Sequence, residues 1–282
     1  MTDINPLIGL IYKLSGQDIS IYEESFLKRS VTNRLVHKSI PDISSYMSYL
    51  SDHVGEALEF IGTLSIKYSE FFRNPMTFYA LELLLLPRLM EEYVKHNKKH
   101  VRVWSAGCAA GQEAYSVAMI LEELIRRLYN APVSYQVFAT DVSEKALNDA
   151  QKGVYDPCVL RKVPKQYLDT YFIREKDLYT VRDTLKTRIE FSSYDLLDPC
   201  LKHPPPGIYG DFDLIICSNL LFYYNPTVRK QILAKLSQAL SPEGLLVTGE
   251  AEREIVAKNG FTPVQCPSHI FKNNRSKRRE KE

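Results

Sequence analysis

Cysteine is sparse in this chain and falls into no pattern. Cys108, Cys158, Cys200, Cys217 and Cys266 are odd in number and scattered, with no Cys-x-x-Cys spacing and no histidine placed to complete a zinc site. We therefore expect no disulfide framework and no metal, only reduced thiols, several of them buried. Long apolar runs are missing too. Leu83 to Leu86 is far too short to cross a bilayer, and Met1-Thr2-Asp3-Ile4-Asn5-Pro6 lacks the basic and apolar stretches of a secretory signal. A soluble, cytoplasmic protein without membrane insertion is expected. Charge of one sign is also lacking: 36 Lys+Arg against 34 Asp+Glu leaves a formal balance of +2, unlike the basic excess of a non-specific nucleic-acid binder. Nucleic acid is not an expected partner, and any electrostatic partner must be met by a local patch.

What is present is an ordinary globular balance, 45% hydrophobic and 25% charged over 282 residues, enough for one large domain and a small one. From Leu7 to about Lys67 the pattern is helical, with Ile21, Phe26, Val31 and Leu35 at helix-like intervals and Pro41 marking a break. Ser20 is the expected N-cap of the second helix, with Glu23 at the capping-box position. Lys28, Arg29, Arg34 and Lys38 place cations on that helix; they form either a solvated face or a binding surface.

Beyond a periodic helix over Phe78 to His96, strands alternate with helices. Short β-rich runs stand at His100–Ser105, Val133–Ala139, Phe212–Cys217 and Gly244–Thr248, which argues for a mostly parallel sheet covered on both faces. The stretch 156–191 interrupts the rhythm and reads as a small antiparallel insertion. The tail 274–282 has nothing apolar to bury and is expected to be disordered. The expected division is a helical domain over 1–67 and a sheet domain over 68–273.

The first strand ends in Ala106-Gly107-Cys108-Ala109-Ala110-Gly111-Gln112-Glu113, and small residues there let a ligand approach the carboxyl end of a strand. Asp141 ends the second strand about thirty residues on, where a carboxylate accepts hydrogen bonds from ribose hydroxyls. The third glycine of the dinucleotide pattern is out of place, and Glu113 at a helix start would repel a pyrophosphate; it suits a cationic ligand instead. The alternatives are a helix-dipole role for Glu113 and an N-cap role for Asp141, with Ser143 as a rival cap.

Taken with Phe71-Phe72-Arg73-Asn74-Pro75, Phe138-Ala139-Thr140-Asp141, Gly153-Val154-Tyr155, Phe191-Ser192-Ser193-Tyr194-Asp195-Leu196-Leu197 and Cys217-Ser218-Asn219-Leu220-Leu221-Phe222-Tyr223-Tyr224, the series resembles the ordered motifs of CheR-type glutamate O-methyltransferases across nearly the whole chain. The resemblance implies an α/β, Rossmann-like S-adenosylmethionine-dependent methyltransferase domain, a doubly wound and mostly parallel sheet, with an N-terminal helical domain and a small antiparallel β insertion. It implies methyl transfer from S-adenosylmethionine, leaving S-adenosylhomocysteine, to glutamates on acidic helices of a chemoreceptor's cytoplasmic region.

Residue by residue, the resemblance places Arg73 and Tyr223 at the reacting groups. It places Lys67, Ser69, Arg73, Ala106, Gly107, Glu113, Asp141, Asp195, Leu196, Ser218 and Asn219 around the cofactor. Lys67 and Ser218 depart from the usual Asn and Arg, and Gly249-Glu250-Ala251-Glu252 stands where many members have His-Ser-Glu. With an acidic substrate, Lys28, Arg29, Arg34 and Lys38 become the expected docking cations. The turn Glu175-Lys176-Asp177 lacks the glycines of peptide-tethering members, so no tether is expected. A monomer is expected. The rival readings are a methyltransferase of this fold with another acceptor, and a non-catalytic cofactor- or receptor-binding adaptor.

Overall fold

The computed structural model describes residues 3–64, 69–96, 98–127, 133–201, 203, 204, 207, 210–264 and 269–273. Lys67, Cys266 and the 274–282 tail lie outside them. The chain forms two compact units, Met1–Ile66 with Leu220–Lys230, and Lys67–Asn219 with Gln231–Glu282.

In the first unit, α1 (Asn5–Ser15), α2 (Glu24–Lys38), α3 (Ile43–Asp52) and α4 (Val54–Thr63) enclose Leu7, Ile11, Leu27, Val31, Tyr46, Leu50, Ala57 and Phe60. Helix α1 stops at Gly16, whose left-handed φ of 71° returns its N–H to the Tyr12 carbonyl. Helix α3 is capped by Asp42, which accepts from the Ser45 N–H at 2.8 Å. Ser20 does not cap α2. The helix begins only at Glu24, with Glu23 in extended backbone at the cap position, because Tyr22 forms a β-bridge with Tyr224 that holds the chain extended.

Arg34 and Lys38 correct the expected docking face. Arg34 points inward and is 9% exposed. Its Nε and Nη2 donate to Glu56 at 2.6 and 2.8 Å, and Nη2 also reaches Glu59 at 2.5 Å. Lys38 lies 2.9 Å from Glu56, and the Tyr46 hydroxyl donates to the same carboxylate at 2.8 Å. Burial alone would raise the Glu56 pKa, but the hydrogen bonds from Arg34, Lys38 and Tyr46 outweigh it and bring it down to about 2. The charge of Arg34 is thus neutralised inside the unit by a residue on another helix, which no periodicity within α2 can reveal. Arg29 remains exposed, and Lys28 pairs with Glu24 one turn away.

The returning segment Leu220–Lys230 is part of the same unit. The Tyr223 carbonyl accepts from the Glu23 N–H at 2.8 Å, its ring meets Phe26 edge-on at 4.9 Å, and Tyr224 stacks on Tyr22 at 5.5 Å. Asn225 donates to the carbonyls of Ile21 and Ser20, both at 2.8 Å. Arg229 ties Glu23, at 2.7 Å, to the Leu221 carbonyl at 3.0 Å. Tyr223 is therefore held by neighbours on both flanks.

The second unit opens with α5 (Pro75–Ala80), a π-helical turn (Leu81–Leu85) and α6 (Leu86–Lys95), then alternates β1 (His100–Ala106), α7 (Gln112–Arg127), β2 (Ser134–Asp141) and α8 (Glu144–Lys152). A small insertion follows: β3 (Val154–Tyr155), α9 (Lys165–Tyr171), β4 (Phe172–Glu175), β5 (Leu178–Val181) and α10 (Asp183–Lys186). The order closes with β6 (Ile189–Ser193), β7 (Phe212–Cys217), α11 (Pro226–Ala239, its first turn in the other unit), β8 (Leu240–Thr248), α12 (Arg253–Ala257), β9 (Phe261–Pro263) and β10 (Ile270–Asn273).

The main sheet runs β6-β2-β1-β7-β8-β10-β9, and the insertion forms a separate antiparallel sheet, β3-β5-β4. Strands β6, β2, β1, β7 and β8 are parallel; β10 is antiparallel to both β8 and β9. The expected insertion extended to Phe191, but Ile189–Ser193 belongs to the main sheet, in parallel register with Val137–Asp141. A five-residue strand looks the same locally whichever partner it takes, and the burial of Ile189 against Val137 decides the matter. Strands β9 and β10 were not anticipated, being three and four residues long. Among the described residues, no helix is long and apolar enough to cross a membrane.

Candidate active site

Strand β1 pairs with β2 on one side and β7 on the other, so the chain leaves the sheet in opposite directions at this point and opens a crevice at the strands' carboxyl ends. The turn after β1 lines it. Gly107, Ala109 and Gly111 all have left-handed φ, at 74°, 47° and 87°. The N–H groups of Gly107 and Cys108 both donate to the Thr140 carbonyl, at 2.8 and 2.9 Å, which binds the turn to the end of β2. The Tyr155 hydroxyl secures its far side through the Ala110 carbonyl at 2.6 Å.

Asp141 sits beside this turn. One carboxylate oxygen accepts from the Ala109 N–H and the other from the Ser143 N–H, each at 2.9 Å. Ser143, not Asp141, caps α8 by accepting from the Ala146 N–H. Two bonds leave about half of the carboxylate's acceptor capacity for a ligand's hydroxyl donors.

Glu113 stands in the first turn of α7 and keeps some accessible surface, although protein surrounds it closely. Burial pushes its pKa up; the Ser218 hydroxyl bond opposes this, the charge of Glu252 adds to it, and Arg73 opposes it, leaving a value of about 7. Arg73 reaches this neighbourhood because Phe72 takes a left-handed φ of 49°, held by an N–H bond to Ser116 Oγ at 3.1 Å and by ring contacts with Phe78 and Tyr167. Such a conformation is strained for a bulky residue. Arg73, Glu113 and Ser218 are thereby assembled from three separate places in the chain.

The remaining predicted residues are placed less tightly. Ala106 is buried at the end of β1 and Ser69 is half-buried before the Phe-Phe-Arg run. Leu196 is buried, whereas Asp195 is exposed and accepts from the Leu197 N–H at 2.8 Å, shaping the turn after β6. Tyr223 and the α2 cations belong to the helical unit. Glu252 was not singled out, yet it is fully buried and its Oε2 accepts from the N–H groups of Gly249 and Asn219, at 2.7 and 2.9 Å. Its signal was the same as that of Asp141, an acid just beyond a strand.

The donor set fits an adenosyl amino acid. It offers a carboxylate for an ammonium, another for a ribose diol and a glycine turn for close backbone approach, and the buried Gln112 Oε1 and Asn219 Oδ1 atoms have no hydrogen-bond partner among the described residues. Buried thiols Cys108 and Cys217 have pKa values pushed up by burial, which leaves them neutral rather than nucleophilic. Among the described residues no cluster of potential metal ligands is found.

Comparisons agree with this geometry. The model of the "CheR methyltransferase, SAM binding domain" matches residues 67–270, and that of the "CheR methyltransferase, all-alpha domain" matches residues 2–65. Proteins named chemotaxis protein methyltransferase are similar over most of their length. The one from Listeria monocytogenes is 30% identical over 238 residues, 84% of this chain and 85% of its own. That of Borreliella burgdorferi is 28% identical over 254 residues, 89% and 87% of the two chains, and that of Escherichia coli 29% over 259 residues, 90% and 85%. With the parallel sheet, the all-helical unit and both family models in register, the chain belongs to the CheR family of S-adenosylmethionine-dependent methyltransferases.

Proposed function

We propose that the protein methylates glutamate side chains on a chemoreceptor, giving glutamate methyl esters. The observation that carries this reading is the grouping of Arg73 with Glu113 and Ser218 beside the Asp141 turn: an anion-orienting arginine next to a site suited to a cationic cofactor. The relatives' name, chemotaxis protein methyltransferase, supports a protein of chemotaxis as the acceptor. In this reading Glu113 holds the cofactor's ammonium, Asp141 its ribose hydroxyls, Ala106 and Gly107 its methionine portion, and Asp195 and Leu196 its adenine, with Ser69, Ser218, Asn219 and Lys67 around it.

S-adenosylmethionine supplies an electrophilic methyl on a sulfonium. The protein has to supply position. A glutamate acceptor is already ionised at neutral pH, so no general base is required of the chain. Arg73 orients the carboxylate by charge-assisted hydrogen bonds, and Tyr223, clamped by its neighbours in the helical unit, aligns it. Orientation and exclusion of water then account for most of the acceleration. Lys28 and Arg29 remain as docking cations for an acidic receptor helix, in a monomeric, cytoplasmic enzyme without a tethering peptide. We assign the helical domain to 1–67 and the cofactor domain to 68–273, the segment Leu220–Lys230 of the latter being counted in the helical unit.

The test is incubation with methyl-labelled cofactor and a receptor cytoplasmic fragment. Label released as methanol by mild alkali is the expected result. Alkali-resistant label would indicate another acceptor, and cofactor binding without label an adaptor.

A further inference from the structure

We infer that Glu252 is a positioning residue: through the backbone of Gly249 and Asn219 it sets the Ser218 hydroxyl against Glu113, and its charge governs how the cofactor's amino-acid end is captured. This rests on the reading of Glu113 as the ammonium's partner.

The geometry is a closed relay. Glu252 is 0% exposed, and one of its oxygens accepts from the Gly249 N–H at 2.7 Å and the Asn219 N–H at 2.9 Å. It thus joins the loops that leave β7 and β8. Asn219 is left-handed, with φ 59°, a conformation that asparagine tolerates better than most residues. Gly249 is required by space: a Cβ there would lie 2.6 Å from Asn219 Nδ2 and 3.0 Å from Asn219 N. Cys217 is buried at the end of β7 and fixes where the turn begins. Ser218 is therefore held on both sides, and its hydroxyl bonds to Glu113.

Among the described residues, the groups that act on Glu113 come from four separate loops. Arg73 precedes α5, Cys108 lies in the turn after β1, Cys217 and Ser218 end β7, and Glu252 follows β8. The thiols are neutral, so among the described residues the charges that act on Glu113 are those of Arg73 and Glu252. Glu252 disfavours the ionised Glu113, Arg73 favours it, and an incoming ammonium resolves the repulsion. Such a site admits a cation more readily than a neutral molecule of the same shape.

Calorimetric titration of the full chain with S-adenosylhomocysteine, repeated from pH 5.5 to 8, tests this. Glu252→Gln can keep both backbone bonds through its amide oxygen while removing the charge. The midpoint of the affinity-against-pH curve should fall by on the order of one pH unit, a shift that loss of structure alone would not produce. Gly249→Ala keeps the charge and displaces Asn219; affinity should drop several-fold at every pH with the midpoint in place. A Glu252→Gln midpoint equal to the wild type's, alongside a Glu113→Gln curve that is flat, overturns the inference and leaves the role of Glu113 standing. A Glu113→Gln curve that keeps the wild-type pH dependence refutes the underlying reading instead. If Glu252→Gln does not fold, Gly249→Ala decides: wild-type affinity in that variant overturns the relay.

Discussion

Binding of S-adenosylhomocysteine should be governed by one proton. The unliganded Glu113 carboxyl titrates at about 7, and only its ionised form attracts the ligand's ammonium. Proton and ligand therefore compete, and affinity falls as the pH drops through 7. For a group at about 7 that becomes strongly acidic on binding, the dissociation constant rises about eightfold between pH 7.5 and pH 6.0, whereas an ordinary carboxyl would leave it almost unchanged over that interval. Calorimetry in two buffers of different ionisation heat should show release of about half a proton per ligand at pH 7. Glu113→Gln should flatten the curve and weaken binding at pH 7.5 by about 2 kcal/mol, roughly thirtyfold, the value of a charge-assisted bond. A wild-type affinity constant from pH 6.0 to 7.5 would refute the placement of the ammonium at Glu113.

Arg73→Ala should lower turnover about a hundredfold, the usual consequence of losing orientation, with a much smaller change in cofactor affinity; initial rates that match the wild type would remove its role. Glu56→Ala leaves the buried Arg34 with only the exposed Glu59 as its carboxylate partner and should cost about 3 kcal/mol in urea denaturation, the lower end for a broken buried pair. Because the folded Glu56 carboxyl lies at about 2, below its ordinary 4.5, its stabilisation is complete above pH 4.5 and is lost as the pH falls through 2. About 2 kcal/mol of that contribution should disappear between pH 7 and pH 3, and a loss of the same size in Glu56→Gln would refute the assignment.

The parallel sheet and its glycine turn were legible because each depends on local pattern: apolar runs such as Phe212–Cys217, then small residues that only a close backbone approach requires. Glu113 and Asp141 were legible as acids at strand and helix ends. What was hidden depends on partners distant in sequence. Arg34 looks like a surface cation until Glu56, from another helix, is brought against it. Ile189–Ser193 looks like part of a hairpin until β2 claims it. Ser20 has the chemistry of a cap, but Tyr224, two hundred residues away, keeps that stretch extended. Glu252 was legible only as an acid just beyond a strand, in a segment that departs from the family's His-Ser-Glu, and its importance appears only when the N–H groups of Gly249 and Asn219 are seen to share one of its oxygens.

Strain at the crevice explains why these carboxylates cannot be read as ligand contacts alone. Phe72, Ala109 and Asn219 are non-glycine residues with left-handed φ, and each has its N–H held by a side chain: Ser116, Asp141 and Glu252 respectively. Asp141 therefore has two roles, and Asp141→Ala should weaken cofactor binding while also releasing the turn at Ala109. The two effects separate on a second substitution. Glycine adopts φ near 47° without the roughly 1 kcal/mol penalty of a side chain, so adding Ala109→Gly to Asp141→Ala should restore about that much stability in thermal or urea unfolding. It should restore no affinity for S-adenosylhomocysteine, because the ribose hydroxyls would still lack their acceptor. Recovery of binding in the double variant would mean that Asp141 acts only through the backbone of the turn, and the ribose would then have to be held by other groups.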